Sequence, residues 1–217
     1  MQTVIDPRKI QSAEAPNQAC PQGDVRRPEL LLWALLLLAA NLPLLNGAVA
    51  GPLVFFPEAV ADGQWWRMLT FPFVHLSGYH LLLDAAAFLM LYSGLEEEKR
   101  CRRILYVILP GALSLLISLS SPVVHTSGLC GLSGIAHGLM AITALELISR
   151  RPGGTPLFRA GVAVLAVVVA KTLLEVWTGQ VLFAGLHFGA IGLPVVESHA
   201  GGLLGGLIAF ALLNRRS

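Results

Sequence analysis

Charge is scarce in this sequence. Of 217 residues, 13% are charged and 55% hydrophobic, and mean hydropathy is +0.69. Soluble domains carry about 25% charged residues, so a water-soluble fold has too few charges here to cover so apolar a core. Cysteine is sparse as well. Cys20, Cys101 and Cys130 are scattered, odd in number and without a C-x-x-C pair, which argues against a disulfide framework or a zinc site. There is no glycine-rich phosphate loop, heptad array or internal repeat. The net charge of +2 builds no case for nucleic acid, and no such partner is expected. What remains is an all-α, polytopic membrane protein whose main solvent is the lipid bilayer.

Six apolar stretches follow a polar tail at 1–28. They cover about 30–50, 79–95, 104–120, 131–149, 157–177 and 199–213, and together make residues 29–217 a six-helix membrane domain. Several are shorter than the roughly 20 residues of a bare span, which a bundle tolerates by thinning the bilayer or burying helix ends. With the N-terminus inside, 13 of the 15 basic residues fall on the inner side, leaving only Arg67 in an outer loop and Lys171 within the fifth stretch. The positive-inside rule then sets both termini in the cytoplasm. Arg26-Arg27, LLLWALLLLAA and AVAG at 48–51 also fit a leader cleaved after Ala50. The long, partly acidic tail before them favours a retained first helix. The outer loop at 51–78, rich in aromatics and proline, sets Trp65, Trp66 and Arg67 at headgroup level.

This orientation brings the starts of helices two, four and six together near the outer surface. Those starts hold Tyr79-His80, Gly131-Leu132-Ser133-Gly134 and Ser198-His199. Helix N-termini offer free N–H groups and the positive end of a dipole, which suit developing negative charge. A serine hydroxyl needs a base, and histidine is the usual one. Each residue also has a plain structural role open to it: a transmembrane serine bonds its own backbone, and a histidine at a helix start caps or faces the interface. Glycines 201, 202, 205 and 206 form two overlaid G-xxx-G faces, packing that would draw helix six against helix four and His199 toward Ser133.

The ordered set resembles the rhomboid intramembrane serine proteases from about Gln64 to Phe210. It comprises Trp66-Arg67, HLLLD at 80–84, GLSG at 131–134 and HAGGLLGG at 199–206. It is not the α/β-hydrolase elbow, since Ile135 stands where that motif needs glycine. The resemblance implies a six-transmembrane-helix rhomboid-like bundle with a water-filled cavity opening outward. In it Ser133 attacks the scissile carbonyl and His199 shuttles the proton, a dyad without a carboxylate behind the base. His80 and the backbone N–H groups of Ser133 and Leu132 would hold the oxyanion. The substrates would be single-pass membrane proteins cut near the outer face, and no metal or organic cofactor is implied. The compact form and the extended GLSGIAHG, with its His137, resemble the rhombosortase branch. That likeness implies a bacterial inner membrane, a site facing the periplasm, and substrates bearing a C-terminal Gly-Gly, hydrophobic helix and basic tail.

The sequence departs from the family at Asp84, where asparagine is usual. An ionised carboxylate repels an oxyanion, so Asp84 is expected to pair with His80 or His137. His137, four residues after Ser133, is expected to brace the fourth helix or stand near Asp84. Lys171 and Glu175, at i,i+4, are expected to pair within their helix, with a Ser133–Lys171 dyad as the rival chemistry. His75, His125 and His187 are read as solvated loop residues, and Cys130 as packing. Two functions compete with proteolysis: an inactive rhomboid relative that binds transmembrane helices, and a small transporter.

Overall fold

The computed structural model describes residues 27–182 and 188–214. It is all-helical. Six long helices run through it: α1 (Arg27–Ala40), α2 (Gly78–Gly94), α3 (Arg100–Ser118), α4 (Ser133–Arg150), α5 (Pro156–Thr178) and α6 (Val196–Leu213). Each falls on one of the apolar stretches, although α1 ends at Ala40, well short of the 30–50 expected, and Leu42–Asn46 turns as a 3-10 helix instead. By length and composition α3, α5 and α6 suffice to cross a membrane. A fourth crossing is added if Arg67–Phe73 and α2, set at 92° to each other, count as one broken span. The remaining two have physical reasons for falling short. α1 has 14 residues, about 21 Å of helix against a hydrocarbon core of about 30 Å. α4 packs against α2, α3, α5 and α6, so it need not be apolar all round, and it carries the buried His137 and Glu146.

Local signals set the helix ends. Thr155 caps α5, accepting the N–H of Phe158, with Pro156 at the first helical position and Gly179 at φ +66° closing it. Ser77 caps α2 by accepting the N–H of His80 at 3.0 Å. The main core, with Phe88, Tyr92, Tyr106, Leu132, Leu139 and Ile142, lies between α1, α2, α3 and α4. α1 is fastened to it by a buried ion pair. Arg103 grips Glu29 with two N–H groups, at 2.7 and 3.0 Å, and Tyr92 donates to the same carboxylate at 2.6 Å.

The glycines of α6 divide their work by face. A Cβ on Gly201 or Gly205 would run into the α3 backbone at Leu113 or Pro110. A Cβ on Gly202 or Gly206 would collide with the carbonyls of Gly134 or Gly138 on α4. Two glycine stripes thus let one helix touch two neighbours backbone to backbone. The second stripe is what brings the first turn of α6 beside the first turn of α4.

The 51–78 loop packs back onto the bundle, as its composition suggested. Arg67 donates to the carbonyls of Gly51 and Val54, and Trp66 to that of Pro52. Phe55 and Leu129 exchange backbone hydrogen bonds at 3.0 and 2.9 Å, which ties this loop to the segment just before Ser133.

Candidate active site

Ser133 opens α4 two residues after Gly131, whose φ of +100° lies in the left-handed region that favours glycine. A side chain there would also strike Asp84 Oδ2 and His80 Nε2. Gly131 therefore lets the serine turn lie flat against α2. The first turn of α4 has no side-chain cap, so its leading N–H groups stay available. Ser133 joins the hydrogen-bond network through its carbonyl, which accepts from His137 Nδ1 at 2.7 Å. Its hydroxyl has no such partner among the described residues.

His199 sits in the first turn of α6, 6% exposed. Its ring lies flat on that of His137, centroids 4.0 Å apart at 13°. Its Nδ1 donates to Glu175 Oε2 at 2.8 Å, which leaves Nε2 with the lone pair of a base. Ser133, His137, His199, Lys171, His80 and Asp84 all line one cavity of about 320 Å³. The structure thus gathers in one place residues that the sequence had put forward from four different helices.

Four expectations change. First, a carboxylate does stand behind His199: Glu175, its side chain fully buried, replaces the expected bare dyad geometry. Glu175 does pair with Lys171, at 2.6 Å, and it reaches across to α6 as well. Second, the Leu132 N–H is not free to meet an oxyanion, because it donates to Asp84 Oδ2 at 2.7 Å. Third, His75 is not solvated. It is fully buried, its ring edge-on to His80 at 4.9 Å and its Nε2 3.4 Å from Asp84 Oδ2. Fourth, of the two partners weighed for Asp84, His80 is the one in reach, at 3.4 Å, while His137 instead touches Lys171 Nζ at 3.0 Å. His125 is exposed and pairs with Glu58 at 2.9 Å; His187 lies outside the described residues. Burial, reinforced by the Asp84 charge, pushes the Cys130 thiol up to about 12, which suits packing and not nucleophilic chemistry.

Two clusters bring three potential metal-binding atoms within 4.8 Å of one another: His75, His80 and Asp84, and His137, Glu175 and His199. The second already holds the Lys171 ammonium against His137 and Glu175, a cation where a metal would have to bind. In the first, the carboxylate oxygen facing both rings is the one that accepts from Leu132. Neither fits a metal ion well.

The missed residues had weak signals. Glu175 is explained in sequence by Lys171 alone, and His75 precedes α2 in a loop. The His75 backbone is held from far earlier in the chain, where the Asn41 amide oxygen accepts its N–H at 2.9 Å.

Comparison with known proteins agrees with this picture. No curated protein matches the sequence significantly. The family model for the Rhomboid domain matches residues 62–216, most of the chain and every element of the site. The chain therefore belongs to the rhomboid family, whose members are in general intramembrane serine proteases, with inactive homologues among them.

Proposed function

We propose that the protein is an active intramembrane serine endopeptidase. The observation that carries this reading is that Ser133 and His199, from the first turns of α4 and α6, line one cavity. In this reading Ser133 Oγ attacks the scissile carbonyl while His199 Nε2 takes its proton, then returns it to the leaving amine. The Ser133 N–H and the His80 ring meet the oxyanion. Asp84 orients His80 and pins the serine turn through Leu132. The substrate is a transmembrane helix of a single-pass protein. Its cut site must unwind, since a helix hides its carbonyls in hydrogen bonds.

The topology proposed with it is six spans, both termini cytoplasmic and the cavity facing the periplasm, in a bacterial inner membrane. The distribution of Lys and Arg supports this. The GLSGIAHG motif supports the rhombosortase branch and, with it, substrates ending in Gly-Gly, a hydrophobic helix and a basic tail. The test of the chemistry is covalent labelling of the purified protein with a fluorophosphonate. Wild type should label and Ser133→Ala should not. A folded wild type that stays unlabelled would instead support a helix-binding inactive homologue.

A further inference from the structure

A general base works only if its ring is held in the right tautomer and aimed at the hydroxyl. His199 has a second nitrogen, and the structure accounts for it. Glu175, on the next-to-last turn of α5, presents Oε2 to His199 Nδ1 at 2.8 Å. Its other oxygen is held twice, by Lys171 Nζ at 2.6 Å and by the backbone N–H of Leu182 at 2.9 Å. Lys171 is fixed in turn by His137 at 3.0 Å, the ring stacked on His199. The charged and titratable groups facing His199 are therefore Glu175 and Lys171 from α5 and His137 from α4.

A buried carboxylate needs partners, and Lys171 alone would satisfy one at i,i+4. That does not explain why Glu175 spans to another helix, where its second oxygen accepts from Nδ1 of His199, a histidine lining the same cavity as Ser133. We propose that Glu175 is a positioning residue that completes a Ser133–His199–Glu175 triad, with Lys171 and the Leu182 N–H holding its carboxylate in place. This rests on the Ser133–His199 chemistry proposed above.

The steps balance without any other reactant. As the Ser133 Oγ–carbon bond forms, the hydroxyl proton moves to His199 Nε2 and the carbonyl electron pair to its oxygen. The ring is then protonated on both nitrogens, and Glu175, still ionised, accepts from Nδ1–H. The Nε2 proton passes to the amine as the C–N bond breaks. Water then attacks the acyl-enzyme, giving its proton to His199, and the regenerated acid leaves as Ser133 recovers its hydrogen. Glu175 never takes a proton.

The full-length protein, in detergent or liposomes, is assayed with a transmembrane substrate and with a fluorophosphonate. Glu175→Gln keeps the shape but offers an amide N–H to Nδ1, which favours the wrong tautomer. It should lower kcat by about 10²–10⁴-fold with KM little changed. Glu175→Asp, shorter but still a carboxylate, should retain more activity than Glu175→Gln. A packing role predicts the reverse order, and that order, or a Gln variant with wild-type kcat, would overturn the proposal. Where Glu175→Gln fails to fold because Lys171 is left unpaired, Lys171→Met with Glu175→Gln restores neutrality and should be equally slow. The ¹⁵N shifts of His199 in the wild type give a reading free of substitution: Nδ1 should be protonated and Nε2 bare, and the opposite tautomer sinks the triad. If wild type labels at Ser133 while the Gln variant labels just as fast, the triad fails and the protease stands. If wild type neither labels nor cleaves, both fall.

Discussion

At the scale of single residues, the site combines two histidine pairs with two carboxylates, each carboxylate reaching across helices. Asp84 takes the place of a family asparagine and acts as a clamp: it binds the Leu132 N–H and stands within 3.4 Å of both His75 and His80. Asp84→Ala should therefore cost about 1–3 kcal/mol of stability through the groups it strands, together with proteolysis. A melt that matches wild type would show the clamp to be idle. Farther out, Glu58 bonds the exposed His125 and raises its affinity for a proton above the ordinary 6.5. The sign follows from linkage. A raised folded value stabilises the loop fully below about pH 6.5, and that stabilisation disappears as pH climbs through the folded value. NMR titration of His125 should give a midpoint above 6.5, and Glu58→Gln should bring it back down. Ser133, His80 and His199 were readable in the sequence because their neighbours form motifs with fixed spacing. Glu175 was not, because its partner on α6 follows from how α5 sits against α6, which no local pattern encodes.

At the scale of elements, α6 is the joint of the site. Its glycines were legible as packing faces, but only the fold assigns Gly201 and Gly205 to α3, and Gly202 and Gly206 to α4. Gly202→Val puts a branched side chain into the carbonyl of Gly134, the residue beside Ser133. Overpacking of this kind costs about 1–3 kcal/mol or more, and it should also abolish labelling of Ser133 at temperatures where the protein is still folded. Gly153, whose added Cβ would meet nothing within 4 Å, serves as the matched control: Gly153→Val should label at the wild-type rate. The helices themselves were visible as apolar runs, and α4 was legible despite its polar residues because the run from Ser133 is long. The short helices of the 51–78 loop were not, since Pro57–Ala61 and Arg67–Thr70 have too few turns to show a period.

At the scale of the whole molecule, α1 is fastened by the buried grip of Arg103 on Glu29, alongside the packing of Trp33 and Leu37 in the main core. Removing one partner leaves the other charged and uncompensated, typically at a cost of about 3–5 kcal/mol. Glu29→Ala should thus expose α1 to limited proteolysis sooner than the rest of the bundle. The proposed topology has its own readout. Cys101 is exposed and is placed on the inner side. In a background carrying Cys20→Ser and Cys130→Ser, a membrane-impermeant maleimide should react in inside-out vesicles and spare intact spheroplasts, and labelling in spheroplasts would reverse the orientation.

The linkage of Leu182 to Glu175 reaches further than the base it steadies. That N–H belongs to the segment leaving α5, and Leu182 lines the same cavity as Ser133 and His199. A displacement of that turn would loosen the carboxylate, so the stiffness of the stretch just after Thr178 bears directly on the aim of the imidazole.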